Sequence, residues 1–169
     1  MRALFSDMTA RLDDGHAYRL ELRHGGDVGA NAFALPSGIV VVTDELCELA
    51  QHDEEIMAVI AHEIGHVRGR HALRLLLRNA GVAALSLALL GDVSSTTTLA
   101  AAAPTALLHA KNAREFESEA DDFAYDWLDR NGIARERFGA ILLRLEKQSH
   151  GTRYGWLSSH PATSERIRD

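Results

Sequence analysis

Two histidines separated by three residues form the most informative segment of the chain, His62-Glu63-Ile64-Gly65-His66. In a helix, side chains four residues apart project from the same face, so both imidazoles reach one metal ion. A glutamate beside the first histidine is then placed to hold the attacking water. The spacing predicts a metal-dependent hydrolytic site. A solvated surface pair is the alternative, because short patterns of this kind also arise by chance.

Two features of the same segment favour the metal site over the surface pair. Apolar residues dominate positions 58–64, which predicts that this helix enters a core, where the charge of Glu63 is costly without a partner or a role. Gly65 destabilises a helix by about 1 kcal/mol relative to alanine. A glycine between the two histidines therefore predicts the close approach of another backbone or of a substrate.

A catalytic zinc site needs three protein ligands and one open position, so a third ligand must come from elsewhere in the chain. A helix predicted from about residue 109 to 130 carries Arg114, Glu117 and Asp121 on one face. Glu117 is the candidate ligand, Asp121 is placed to accept the spare N–H of a ligating histidine, and Arg114 could hold either carboxylate. The alternative is an ordinary solvated helix with charge pairs four residues apart.

A small sheet precedes these helices. Residues 18–23 alternate between apolar and charged side chains, and two further short strands are predicted at 31–35 and 39–42. Pro36 follows the first of this pair and cannot donate to a ladder, which favours an edge position for the 31–35 strand. With a first helix at 1–13 and a short one starting at Asp44, the pattern predicts an α+β fold that is mostly helical.

Two apolar segments, 80–90 and 99–108, flank a polar connector and predict a helical hairpin, the second arm of which is broken by Pro104. Each arm is about half as long as the ~20 residues that cross a bilayer. The hairpin either packs on its own domain or contacts a membrane surface or a partner.

Composition limits the classes of function. The chain has 169 residues and a formal net charge of -6, which fits a single globular domain and argues against nucleic acid as a partner. The first seven residues reach Asp7 before any apolar run, so no secretory signal is predicted. The remaining histidines have no partner at ligand spacing and are expected at the surface: His16, His24, His52, His71, His109 and His150.

Four motifs follow one another from about residue 28 to 168: Asn31-Ala32-Phe33-Ala34-Leu35-Pro36, then His62-Glu63-Ile64-Gly65-His66, then Arg114-x-x-Glu117-x-x-Ala120-Asp121, then His160-Pro161 followed by Arg166-Ile167. In this order they resemble metallopeptidase family forty-eight, the gluzincins that include the HtpX-type membrane proteases, the CAAX prenyl endopeptidases and the mitochondrial inner-membrane stress protease.

The resemblance implies a zincin-type metalloprotease domain spanning 1–169, with the sheet packed on the zinc-binding helix and on the glutamate-bearing helix. It implies one Zn²⁺ per chain held by His62, His66 and Glu117, with Glu63 as the catalytic base. It further implies that Asp121 supports a zinc-bound histidine and that His160 stabilises the transition state.

An exposed edge strand beside such a site binds an extended polypeptide by backbone pairing, so Asn31, Ala32, Phe33 and Ala34 are the expected substrate-binding residues. A strand that only supports the zinc helix is the alternative. The membrane-embedded relatives carry spanning helices that this chain lacks. We therefore expect the catalytic portion of a longer envelope protein, or a soluble relative, and no evidence favours a prenylated substrate.

Three hypotheses about function follow. The first is a zinc endopeptidase that acts on extended or misfolded polypeptides in envelope quality control. The second is a metal-binding, chaperone-like or scaffold module without proteolytic activity. The third is a helical structural protein in which the motif is accidental, which requires Glu117 to lie far from the two histidines.

Overall fold

A computed structural model describes residues 1–12, 14–90 and 98–149, together with Trp156 and His160. Its helices are α1 (Arg2–Ala10), α2 (Asp44–Leu49), α3 (Asp53–Arg68), α4 (His71–Leu90), α5 (Thr98–Arg130) and α6 (Glu136–Ser149), and its strands are β1 (Arg19–Arg23), β2 (Ala32–Ala34) and β3 (Ile39–Thr43). The prediction of a mostly helical α+β fold is confirmed.

The three strands form one mixed sheet in the order β1-β3-β2. β1 pairs parallel to β3, and β2 pairs antiparallel to β3 with Phe33 opposite Val41. β2 is thus an edge strand in the described part of the sheet, as Pro36 predicted. Thr43 ends β3 and caps α2, because its Oγ1 accepts a hydrogen bond from the Leu46 N–H.

α3 is the central helix, because it packs against the sheet, α5 and α6. Most of its residues are buried, including His62 at 0% and Glu63 at 2% exposure. A helix that is apolar on all sides belongs in an interior, so the apolar run at 56–61 accounts for this position. The predicted entry of the motif into a core is confirmed.

α5 differs from the sequence prediction, which broke the apolar arm 99–108 at Pro104 and began a new helix near residue 109. The structure has one continuous helix from Thr98 to Arg130. Proline removes one backbone hydrogen bond, and the run of alanines at 100–103, strong helix formers, carries the helix across this loss. The arms of the predicted hairpin are therefore α4 and the first part of α5, and the connector at 91–97 lies outside the described residues.

No helix in the described ranges combines the length and the apolar character required to cross a bilayer.

α6 was not predicted from the sequence. It packs against α3, and Arg144 of α6 forms an ion pair with Glu55, whose side chain is almost fully buried on α3. Phe138 of α6 is fully buried and its ring lies 5.8 Å from that of His62. α6 therefore closes the core on the side of α3 that carries His62.

Candidate active site

Three residues from two helices and one residue near the C-terminus bring their ligand atoms to a single point. Nε2 of His62 and Nε2 of His66 lie 3.0 Å apart on α3. The Glu117 carboxylate of α5 lies 3.5 Å from the first of these nitrogens and 3.4 Å from the second. Nδ1 of His160 lies 3.3 Å from Nε2 of His62 and 3.0 Å from Oε1 of Glu117.

The spacing of these four donor atoms fits a divalent metal ion. Zinc held tetrahedrally by nitrogen and oxygen at about 2.0–2.1 Å requires donors separated by about 3.4 Å. The five separations given above, which involve both oxygens of Glu117, lie between 3.0 and 3.5 Å. One ligand atom from each of the four residues can be chosen so that all four lie within 4.8 Å of one another. His62, His66 and Glu117 are thus suited to hold a metal, and His160 reaches the fourth position.

Asp121 lies behind His62, on the side away from the cluster. Its Oδ1 is 2.8 Å from Nδ1 of His62, and both side chains are buried. Because Nε2 faces the cluster, Nδ1 carries the proton and donates a hydrogen bond to the carboxylate. This contact fixes the orientation of the imidazole and the choice of tautomer.

Glu117 is held in its charged form. Burial by itself raises the pKa of this carboxyl, but hydrogen bonds from His160 and His66 outweigh burial and hold the pKa well below its usual range. The deprotonated carboxylate is the form that binds a metal cation, so the surroundings of Glu117 stabilise the form that can act as a ligand.

Glu63 also lies at the cluster, with its carboxylate buried. Its Oε1 accepts a hydrogen bond of 3.0 Å from the indole N–H of Trp156 and lies 3.4 Å from Nε2 of His160. A carboxylate beside the ligand atoms, with one oxygen held by a neutral donor, is suited to accept a proton from a water molecule there.

Gly65 allows the two ligand-bearing helices to touch. A Cβ atom at this position would lie 2.9 Å from Cα of Ala120 and 3.1 Å from its carbonyl oxygen. The backbones of α3 and α5 therefore meet at Gly65, which is the close approach that the glycine predicted. Glu117 and Asp121 flank Ala120, so this contact places both carboxylates against the histidines of α3.

Comparison with protein families gives a match over most of the chain. Residues 15–169 match the family model described as Peptidase family M48. The chain belongs to peptidase family M48. This membership confirms the family that the four motifs indicated and the enzyme class, a metalloendopeptidase hydrolase.

Several curated proteins resemble this M48 chain. It is 31% identical over 156 residues to Metalloprotease LoiP of Escherichia coli, and the matched region makes up 82% of this chain and 58% of LoiP. It is 32% identical over 161 residues to a Putative beta-barrel assembly-enhancing protease of Vibrio cholerae, and the matched region makes up 85% of this chain and 32% of that protein. It is 30% identical over 142 residues to Mitochondrial metalloendopeptidase OMA1 of Arabidopsis thaliana, and the matched region makes up 82% of this chain and 28% of that protein. The M48 chain thus spans a little over half the length of LoiP and about a third of the other two.

A cleft of about 710 Å³ opens onto the M48 motif residues. Phe33 and Ala34 of β2 line one side of it, and Leu73 and Leu75 of α4 line another. The edge strand therefore borders the ligand cluster. Of the other predicted substrate-binding residues, Ala32 is fully buried, and the Asn31 side chain accepts a hydrogen bond from the Ala32 N–H.

Arg114 lies at the surface of α5. Its side chain is exposed, and in the described ranges it forms no ion pair with Glu117 or Asp121. Those two carboxylates turn inward to the histidines, whereas Arg114 lies one turn closer to the N-terminus of α5, at the surface. The prediction that Arg114 holds either carboxylate has no contact to support it.

Sequence reasoning missed two residues of the M48 site. His71 was expected at the surface but is 4% exposed, and its Nδ1 lies 2.8 Å from Nδ1 of His66. Burial lowers the pKa of His71 and outweighs its hydrogen bond with Glu119. Trp156 is fully buried and donates to Glu63. His71 follows His66 by five residues, a spacing that does not place two side chains on one face of a continuous helix, so it gave no signal.

Proposed function

We propose that residues 1–169 form one catalytic domain, a zinc endopeptidase that hydrolyses extended or misfolded polypeptides in the bacterial cell envelope. The observation that carries the proposal is the convergence of His62, His66 and Glu117 beside the carboxylate of Glu63. Membership of the M48 family supports the same class of reaction.

Zinc is the proposed metal, with one ion per chain held by His62, His66 and Glu117. Two imidazoles and one carboxylate are a common ligand set for catalytic zinc, and Asp121 supplies the carboxylate that orients a ligating histidine. When bound, zinc acts as a Lewis acid that lowers the pKa of water and polarises the scissile carbonyl.

Glu63 is the proposed general base. Its carboxylate takes a proton from the attacking water and passes it to the leaving amine. His160 is proposed to stabilise the oxyanion of the transition state by hydrogen bonding. Hydrolysis needs room for a water molecule in the cluster, so the His160 ring must move away from the fourth ligand position during turnover.

The proposed substrate is a polypeptide in extended form, bound along β2. Leu35 N–H bonds to the Ile39 carbonyl and Thr43 N–H to the Asn31 carbonyl. Because antiparallel pairs alternate between facing and outward-pointing backbone groups, the N–H and C=O of Ala34 point away from β3. A substrate strand can pair with these groups and so lie across the cleft, with little dependence on its sequence.

The proposed location is the bacterial cell envelope, by analogy with relatives whose names refer to β-barrel assembly. Membrane association is a separate proposal. It rests on α4, where Leu76 and Leu77 are 65% and 62% exposed.

The decisive test compares wild-type protein with Glu63→Gln in a casein assay, with the metal content of each measured in parallel. We expect about one zinc per chain in both. Removal of a general base lowers turnover by about 10²–10⁴-fold, so cleavage should fall below detection in the variant. Activity that survives Glu63→Gln would favour the chaperone-like alternative, and a wild-type protein that binds no metal would contradict the proposal.

A further inference from the structure

His66 makes a contact on the side of its ring that faces away from the ligand cluster. Nε2 of His66 faces Nε2 of His62 and Oε1 of Glu117. Its other nitrogen, Nδ1, lies 2.8 Å from Nδ1 of His71, the buried first residue of α4. We propose that His71 is a positioning residue that orients His66 for metal binding through this hydrogen bond. The inference rests on the proposed zinc function.

The protons on these rings can be assigned from the contacts. When Nε2 of His66 ligates a metal, it offers its lone pair to the metal in place of a hydrogen bond to Glu117, so the ring proton lies on Nδ1. Two ring nitrogens 2.8 Å apart form a hydrogen bond only when one donates and the other accepts, so Nδ1 of His71 accepts. The His71 proton then lies on Nε2, which is 3.0 Å from Oε2 of Glu119.

The result is a chain of hydrogen bonds from His66 through His71 to Glu119. Arg74 anchors its far end, since its guanidinium donates to both carboxylate oxygens of Glu119 at 2.6 and 3.1 Å. His62 is oriented by a carboxylate directly, through Asp121, whereas His66 is oriented by a carboxylate through an intervening imidazole. Both ligating histidines therefore have a partner that fixes their tautomer.

The backbone between α3 and α4 is built to hold the His71 ring in this place. A Cβ atom on Gly69 would lie 2.1 Å from Nε2 of His71, so only glycine leaves room for the ring. Arg70 adopts a φ of +50°, a left-handed conformation that is uncommon for residues other than glycine. Phe116 of α5 stacks on the imidazole, with centroids 4.5 Å apart and planes 13° from parallel.

Two substitutions separate hydrogen bonding from packing. His71→Phe keeps an aromatic ring that can stack on Phe116 but removes both ring nitrogens. His71→Asn places an oxygen acceptor near the position of Nδ1 and loses the stacking. Asp121→Asn, which weakens the equivalent contact to His62, is the positive control, and His24→Phe, at an exposed histidine, is the negative control.

The measurement is zinc affinity of the metal-free proteins in competition with a chromophoric chelator, together with the visible spectrum after Co²⁺ loading. We expect His71→Phe to weaken zinc binding by about 10–100-fold and to alter the Co²⁺ spectrum. We expect His71→Asn to recover most of the affinity. Melting temperatures of the metal-free proteins report on folding.

The proposal is overturned if His71→Phe binds zinc as tightly as wild type, or if His71→Asn is as weak as His71→Phe, because packing would then be the role of His71. Should His71→Phe not fold, Glu119→Ala at a half-exposed carboxylate replaces it, and unchanged zinc affinity there would overturn the proposal equally. A wild-type protein that binds no zinc would instead refute the proposed function.

Discussion

The indole N–H of Trp156 donates a hydrogen bond to Oε1 of Glu63 at 3.0 Å, across 93 residues of sequence. The same indole stacks on the His160 ring, with centroids 4.6 Å apart, and the His160 N–H bonds to the Trp156 carbonyl. One buried side chain therefore contacts both residues to which we assign roles in proton transfer and oxyanion stabilisation.

Replacing Trp156 with phenylalanine tests the first of these contacts. The variant keeps a stacking ring but removes the only donor of the indole, and hydrogen bonds to charged groups contribute about 1.5–3 kcal/mol. We expect kcat to fall by at least about 10-fold with zinc content unchanged. Trp127→Phe, at a half-buried tryptophan outside the ligand cluster, is the control. Equal activities of the two variants would argue against a role for the Trp156 N–H.

His160→Ala tests the role of the fourth residue of the ligand cluster. Three ligands remain, so we expect zinc to stay bound at about one per chain, while loss of a transition-state donor lowers kcat by about 10²–10³-fold. Parallel measurement of zinc content and kcat separates the two effects. A rise in kcat would instead mean that His160 mainly blocks the position needed by water.

Ala34→Pro tests substrate pairing along β2. The Ala34 N–H points away from β3, so proline removes a donor from the open edge and leaves the ladder to β3 intact. We expect KM for an unfolded polypeptide to rise by about 10-fold, with little change in melting temperature. Ala34→Val keeps the N–H and is the matched control. If both variants raise KM equally, side-chain bulk rather than backbone pairing is responsible.

Gly65→Ala tests the contact between the two ligand-bearing helices. The added methyl group would meet the Ala120 backbone, and overpacking of this kind costs about 1–3 kcal/mol. We expect a lower free energy of unfolding and weaker zinc binding, because α5 carries Glu117. Gly81→Ala has open space around it and should stabilise α4 by about 0.5–1 kcal/mol. A neutral effect at both glycines would contradict the close approach.

Glu55→Gln tests the ion pair between α3 and α6. Burial raises the pKa of Glu55, but the hydrogen bonds from Arg144 and the Gln51 N–H outweigh it and leave the pKa below its usual value. A lowered folded-state pKa stabilises the protein above the unfolded pKa of about 4.3, and this contribution is lost as the pH falls further.

Urea unfolding should therefore show Glu55→Gln about 2–3 kcal/mol less stable at pH 7, with the difference shrinking below about pH 4. Asp126→Asn breaks an exposed pair with Arg130 and should change stability by less than about 1 kcal/mol at either pH. If the difference in free energy of unfolding between wild type and Glu55→Gln stays constant with pH, the charge of Glu55 is not the cause of that difference.

The sequence predicted those features of the fold and site that are set by residue spacing within one helix or strand, or by the properties of one residue type. The positions of His62 and His66 follow from helical periodicity and the edge position of β2 from Pro36. Gly65 predicted the close approach of another backbone or of a substrate, and the structure has the backbone of α5 there. Each of these required only the rules of a single element, or the steric limits of a single residue type.

Contacts that depend on how elements are joined were not predictable in this way. In an unbroken helix, a residue five positions after His66 lies about 140° around the axis, so His71 gave no signal as a partner. The turn at Gly69 and Arg70 brings it back. Trp156 meets Glu63 only through the tertiary fold, and Arg114 shares a helix face with Glu117 while lying at the surface.

Because Gly65 and Ala120 are in direct contact, the geometry of the metal site does not depend on the length of the chain that joins α3 to α5. The distance between the ligands of the two helices is set where their backbones touch, and it does not depend on the path of the chain through residues 79–112. That stretch can lengthen, shorten or acquire a new surface without moving a ligand, which makes it the natural place for related proteases to diverge.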